Sequence, residues 1–436
     1  MEEKYKDILS TFINLTWRLI SGPLSLLLIP LYLSPVQQGY WYLFGSIAAM
    51  STFADLGFSN IILQFSAHEF AFLSIKKRVL VGEEKYIQKL GSFFRFVIKW
   101  LSLMCSIAYP VIFLVGIFFF HRDSVLNVYL IPWVIYSLGS LINFFSNSVL
   151  SFIEGLNQID KIQRSRFIVA VINTFVIVIG LMCKCNIYAL AFAMILSSSF
   201  MFVTIFVTFG KIIKQLWRGS KDFFYPWRKE ILPLFKKYVL SFASGYFLFQ
   251  IYTPLMHYFH GPVLGGKVGI TMSLVTAMFS FSNIWIYTIT PKINMLIEQK
   301  SWDILDKLFY KRLLLSLFSY ILICICFALF VVIFGKYRLI AKVLERFLPY
   351  KAMVFLIVSY FLQLIVNAWA VYLRGHKQEP FWWTSIISAI WVFLITFFAG
   401  KFLSPLLFFI GLLSSYVWGI PLSYYIFYRD RKKWHR

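Results

Sequence analysis

The chain alternates long apolar stretches with short polar joints. Twelve apolar runs stand out, at 8–33, 39–66, 91–120, 128–153, 167–183, 187–210, 238–259, 268–291, 312–335, 352–373, 380–399 and 405–428. A membrane-spanning helix needs about 20 mostly apolar residues. Each run approaches or exceeds that length, and the longer ones should tilt or protrude. The joints are short, and the longest, 211–237, follows the sixth run. They leave no room for a globular domain outside the membrane. The pattern predicts an all-α polytopic membrane protein. The first run is long and lacks a small-residue cleavage site, so it reads as a retained helix rather than a signal peptide.

A second regularity lies above the single helix. Pro30 precedes Phe58-Ser59-Asn60 by 28 residues, and Pro254 precedes Phe281-Ser282-Asn283 by 27. Asn147, Gly155 and Gln158 recur as Asn367, Gly375 and Gln378 at one offset of 220. The competing reading is chance similarity between apolar segments. The preserved order favours two six-helix halves: 1–210, a basic linker 211–237, and 238–436. Equivalent helices enter from the same side, so the repeat is parallel. Transporters are commonly built this way, with substrate bound near the repeat interface. Prolines inside the spans, such as Pro23, Pro110, Pro132, Pro291 and Pro421, kink helices and offer hinges.

Composition agrees. Of 436 residues 60% are hydrophobic and only 14% charged, against roughly 25% charged in soluble domains. A soluble enzyme, a disordered chain and a disulfide scaffold are thereby excluded. The net charge of +24 raises the question of nucleic acid. Topology answers it. With the N-terminus in the cytoplasm, 30 Lys and Arg fall in cytoplasmic segments, 9 on the far side and 3 inside spans. That bias places both termini in the cytoplasm and leaves no call for a nucleic-acid partner. One cluster departs from the rule: five of the nine far-side cations lie in 336–351.

The three cations inside spans carry the chemistry, because an ionisable group in the bilayer is a functional candidate by default. Arg18 sits about 15 Å along the first span, too deep for easy snorkelling. Asp55 lies mid-way through the second span and could pair with Arg18, or serve a helix break around Gly57. Arg95 and Lys99, one turn apart, either snorkel to headgroups or line a vestibule. Lys292 and Arg312 sit at span ends, where they could guide an anionic headgroup. Glu69 is a candidate for ion coupling or an ion pair near the cytoplasmic mouth. Cations thus outnumber acids in the spans. Arg and Lys bind phosphate by charge-assisted hydrogen bonds, so the substrate expected is anionic. A drug-cation exporter would need acids.

Catalytic and cofactor motifs are missing: no Walker A, no Gly-x-Ser-x-Gly, no His-Glu-x-x-His, no Gly-x-Gly-x-x-Gly. The five cysteines have no partners at zinc spacing and read as membrane cysteines. The expectation is a non-enzyme with no cofactor or metal, driven by an ion gradient, the membrane potential or downstream use of its product.

The stretch Gln37-Gln38-Gly39-Tyr40-Trp41-Tyr42-Leu43-Phe44, followed by Phe53-Ala54-Asp55-Leu56-Gly57-Phe58, resembles the first two helices of Wzx-type O-antigen and polysaccharide flippases. These belong to the multidrug/oligosaccharidyl-lipid/polysaccharide (MOP) flippase superfamily. The later helices match in pattern only. The resemblance implies a MATE-like fold of two bundles around a central cavity. It implies flipping of an undecaprenyl-pyrophosphate-linked oligosaccharide across the bacterial inner membrane, with proton or sodium coupling. Its partners would be that lipid-linked oligosaccharide, membrane lipids and other polysaccharide-assembly proteins. It further implies a cationic cavity, with Arg18 as the basic residue of the first helix. Two other readings compete: a multidrug or cation exporter of the same superfamily, and a membrane polysaccharide polymerase or ligase.

Overall fold

The computed structural model is almost entirely helical. Its helices are α1 (Glu2–Tyr32), α2 (Pro35–Ala48), α3 (Thr52–Asp55), α4 (Phe58–Phe70), α5 (Glu84–Arg122), α6 (Leu126–Gly155), α7 (Ile159–Met182), α8 (Tyr188–Gly219), α9 (Trp227–Phe249), α10 (Tyr252–Tyr287), α11 (Thr290–Glu298), α12 (Trp302–Phe334), α13 (Arg338–Leu344), α14 (Tyr350–Gly375), α15 (Trp382–Phe402) and α16 (Ile410–Trp434). The structure describes residues 2–220, 223–376, 379–403 and 407–435, and some side chains within 2–19, 234–241 and 291–298 lie outside the description. In lipid a helix satisfies its own backbone groups, which is why an apolar chain of this kind takes no other form.

Among the described residues nine helical stretches are long and apolar enough to cross a membrane, and ten if the bent pair 35–55 and 58–70 is one span. One of the nine, 238–297, would be about 90 Å long as a straight helix, three bilayer cores. It is not straight. Gly261 has φ 81 and ψ 178, a conformation open to glycine alone. A Cβ added at Gly265 would lie 2.9 Å from Cβ of His257, so the chain folds back there into two legs. The twelve runs and the count of nine or ten therefore trace the same helices, once this reversal is resolved and α1 is included.

The chain forms two compact units: residues 1–33 with 44–242, and residues 34–43 with 243–436. The basic joint 211–237 is helical at both ends, since α8 runs on to Gly219 and α9 starts at Trp227. Within the first unit, α4 packs on α5 and α6, α6 on α8, α7 on α8 and α1 on α7. Within the second, α10 packs on α12 and α14, α14 on α16 and α15 on α16. The neighbour scheme is thus repeated. Gly155 ends α6 and Gly375 ends α14, and each is pressed against a preceding helix. A Cβ at Gly155 would meet Ser66 Oγ at 1.9 Å, and one at Gly375 would meet Ile297 Cδ1 at 2.7 Å. The joint 71–83 holds a small hairpin of β1 (Ser74–Lys76) and β2 (Val79–Val81). Lys77 and Arg78 turn it with positive φ, the twist that two-residue hairpins prefer. Gln215 of α8 fastens it through both hydrogen bonds of Leu80.

Residues 34–43 are part of the second unit, although they precede most of the first in sequence. Small residues make the fit. A Cβ at Gly39 would lie 2.1 Å from the carbonyl oxygen of Pro262. Gln38 donates its amide to the carbonyl of Gly266 at 3.1 Å, and Tyr40 meets His257 edge-on at 5.0 Å. Gly39→Ala should therefore destabilise by about 1–3 kcal/mol through overpacking, and Gly22→Ala, which meets nothing within 4 Å, should not. Thermal unfolding of the two purified variants separates them. Equal midpoints would contradict the packing described.

The C-terminal helix end is clasped onto α12 and α14. His435 stacks on Trp302 at 4.2 Å and His376 on Trp434 at 4.4 Å. Tyr372 donates to Asp306 at 2.8 Å and sits 3.0 Å from His435 Nε2. Arg431 donates to the same Asp306. Burial pushes both histidines below the ordinary value of 6.5, and for His435 the nearby Arg431 adds to this while Asp306 opposes it. His376 Nε2 is buried with no acceptor among the described residues, so a proton there would be an unsatisfied donor. The folded state thus keeps neutral rings that the unfolded chain would protonate. Stability is full above pH 6.5 and falls as pH drops from 6.5 toward the lower folded-state values. His376→Phe with His435→Phe should flatten a plot of melting temperature against pH between 7.5 and 5.5.

Candidate functional site

Asp55 is explained by local backbone geometry. The second span breaks after it: Leu56 has φ 45 and Gly57 φ 79, and α4 starts afresh at Phe58. The carboxylate accepts from the backbone N–H of Gly57 at 3.2 Å and of Ser59 at 3.0 Å, and from the Ser59 hydroxyl. It satisfies the orphan donors of a helix start inside the membrane segment. A Cβ at Gly57 would strike the Phe242 ring at 2.7 Å, so glycine is required there on two grounds. The Ala-Asp-Leu-Gly element is thus a capped helix break. Arg18, the expected ion-pair partner, lies outside the described residues.

Among the described residues six further acids are in ion pairs. Glu69 is buried, with Lys89 Nζ at 2.8 Å and His68 Nδ1 at 3.7 Å. Lys89 also lies over the Tyr225 ring at 4.7 Å. Glu154 pairs with Arg166, Asp160 with Arg164, Glu379 with Arg374, Asp430 with Arg429, and Asp306 with Arg431.

The cations are placed differently. Arg95, on α5, donates to the carbonyl of Trp217 and lies over its ring at 5.3 Å. Arg312, on α12, lies over Trp285 at 5.6 Å, and its Nε is buried with no acceptor among the described residues. The two arginines are 217 residues apart on helices with matching neighbours. Each unit thus carries one guanidinium against an indole face, an arrangement that desolvation strengthens. Lys99, one turn from Arg95 on α5, and Lys292 are exposed.

Each unit also holds a cavity. In the first unit a cavity of about 420 Å³ runs between α5, α6 and α8. Phe94, Ile98, Phe202 and Phe206 give it an apolar wall, and Trp217, Lys214 and Arg218 line it too. Ser146 is fully buried in its lining, its Oγ without a partner among the described residues. In the second unit a cavity of about 120 Å³ is lined by Gln363, Asn367, Thr384, Ser385, Ser388 and Ser415, with Arg374 and Tyr416. Asn367 donates to Asn283 at 3.0 Å, and Tyr416 to Gln363 at 2.7 Å. No Asp or Glu lines either cavity. Among the described residues no group of three His, Cys, Asp or Glu is placed to hold a metal ion. The polar chamber escaped the sequence reading because Ser, Thr and Asn disturb hydropathy little. The recurrence of Asn147 as Asn367 was the one signal pointing there.

A solved structure described as the inward-facing conformation of a multidrug resistance MATE family transporter of the MOP superfamily superposes with a TM-score of 0.63. The superposition covers 97% of this chain and 98% of that one at 11% identity. The fold is that of a MATE transporter. A second solved structure, of MATE in complex with Br-NRF, aligns at TM-score 0.45 and 13% identity over 100% of this chain and 98% of that one. No family profile matches the sequence, and no curated protein does. The MATE fold accounts for the repeated neighbour scheme and for the multi-pass helical build.

If Asp55 acts as the cap of α4, Asp55→Ala should cost about 0.5–2 kcal/mol of stability, and Asp55→Asn, which keeps an acceptor, less. Denaturation of the purified variants measures this. An unchanged Asp55→Ala would remove the capping role.

Proposed function

We propose that this protein is a flippase. It moves an undecaprenyl-pyrophosphate-linked oligosaccharide, an O-antigen or related surface-polysaccharide unit, from the cytoplasmic to the periplasmic leaflet of a bacterial inner membrane. Both termini lie in the cytoplasm in this reading, and an ion gradient drives alternating access of the two halves. The observation that carries the reading is the disposition of charge. Asp55, Glu69, Glu154, Asp306 and Asp430 are engaged in a cap or in ion pairs, whereas Arg95 and Arg312 rest on indole faces and Lys214 and Arg218 line an apolar cavity. A site of that sign suits a phosphate-bearing substrate. Arg18, Lys99 and Lys292 are assigned the same task of receiving the pyrophosphate or acidic sugars.

One observation favours a second reading, export of drugs or other cations: the superposed MATE transporter is described by multidrug resistance. That task needs a carboxylate able to face the substrate.

Proteoliposomes separate the two. A fluorescent prenyl-pyrophosphate-linked sugar should be flipped by the intact protein. Arg95→Gln with Arg312→Gln should slow flipping about tenfold or more, since a charged hydrogen bond contributes about 1.5–3 kcal/mol. Arg18→Ala should abolish it at normal membrane levels of protein. Full activity of all these variants, or uptake of a cationic dye in place of the lipid, would sink the reading.

A further inference from the structure

Neither the topology nor the proposed transport accounts for the five cations in 336–351. The structure gathers two of them with a third from elsewhere in the chain. Lys267 of α10, Lys342 of α13 and Arg346 line a groove of about 1020 Å³. The groove runs between the end of α12 and the start of α14, roofed by α13 and the turn that follows it. Its wall is apolar and includes Phe327, Val331, Leu344, Met353 and Ile357. One carboxylate, Glu345, also lines it. Lys336, Arg338 and Lys351 are exposed on the same connection.

α12 fixes the surroundings. Its best window has mean hydropathy 3.0 and only 6% of that window is buried in protein, so most of the helix surface meets lipid. A groove beside such a helix is filled by lipid chains rather than by water. The cations sit at its polar end, at the connection between two spans, which is headgroup depth. Three cations against one carboxylate select the charge of the occupant. Basic residues near a membrane surface attract anionic headgroups, each by roughly the same increment. On the expected orientation this is the leaflet facing away from the cytoplasm, where positive charge is not required for topology.

We propose that this groove of the second unit binds one anionic glycerophospholipid of the surrounding bilayer. Its acyl chain lies against α12 and α14, and its phosphate meets Lys267, Lys342 and Arg346. The site is independent of the transported substrate.

Native mass spectrometry of the intact protein in detergent tests it, with dioleoylphosphatidylglycerol, dioleoylphosphatidylcholine and a polyprenyl phosphate added in turn. The wild type should retain one phosphatidylglycerol with about tenfold preference over phosphatidylcholine. Lys267→Gln with Lys342→Gln and Arg346→Gln should remove the preference. Ala328→Phe fills the groove from an exposed position with every charge in place, and should remove the bound lipid itself. That variant keeps the proposal testable if the triple variant is unstable. Equal retention of both phospholipids by the wild type, or unchanged phosphatidylglycerol binding by Ala328→Phe, overturns the proposal. Retention of polyprenyl phosphate in place of phosphatidylglycerol overturns it as well, and would assign the groove to the substrate. Flipping activity is not read in this experiment, so its outcome stands apart from that of the transport reading.

Discussion

An ionised carboxylate in apolar surroundings must be paired or hydrogen-bonded, because its desolvation costs several kcal/mol. That constraint organises this molecule. It makes Asp55 the cap of a helix that restarts inside a span. It binds Glu69 to Lys89 at the end of the same element, and Asp306 to Arg431 and Tyr372 where the last helix returns to α12. Acids thus hold helices to one another. The cations Arg95 and Arg312 rest instead on indole faces.

The helices were legible because hydropathy integrates over about twenty residues, and a few polar insertions do not erase the signal. The break at Leu56 and Gly57 was legible only as one of two readings of Asp55, the other being an ion pair with Arg18. A span of 39–66 reads as one apolar run, and the carboxylate inside it reads as a charge seeking a partner. A local signal was present all the same: an Asp two residues before a glycine can turn back on the backbone N–H groups that follow it. Likewise the reversal at Gly261-Pro262 lies where the sequence places a joint, between runs ending at 259 and starting at 268. Side-chain partners were beyond reach, because Trp217 comes to Arg95 and Trp285 to Arg312 through helix packing and not through spacing.

The repeat changes the weight of these contacts. Arg95 and Arg312 lie 217 residues apart, close to the offset of 220 that relates Asn147 to Asn367. Their helices have corresponding neighbours in the two units. A guanidinium on an indole is an unremarkable contact once. Twice, on matching helices but with tryptophans from non-matching ones, it is a constraint on the arginine rather than on the tryptophan. The position needs a delocalised cation that stays charged when partly desolvated, and each unit supplied an aromatic face in its own way.

The two units diverge where the chemistry of a substrate would be expected to act. The first has an apolar cavity with Lys214 and Arg218 in its lining, and the second a chamber of amides and hydroxyls. A polar network of Asn283, Asn367, Gln363 and Tyr416 inside a helix bundle is costly unless its members satisfy one another; here they bond in pairs, and Asn283 Nδ2 is left buried without an acceptor among the described residues. Ser385, Ser388 and Ser415 line the chamber with Arg374, and the Ser415 hydroxyl donates to the Leu412 carbonyl of its own helix. Arg374 is held by Glu379, so the chamber is polar without carrying free charge. The two halves therefore differ in chemistry as well as sequence: an apolar cavity with two cations in its lining in one, and a small neutral chamber rich in amides and hydroxyls in the other.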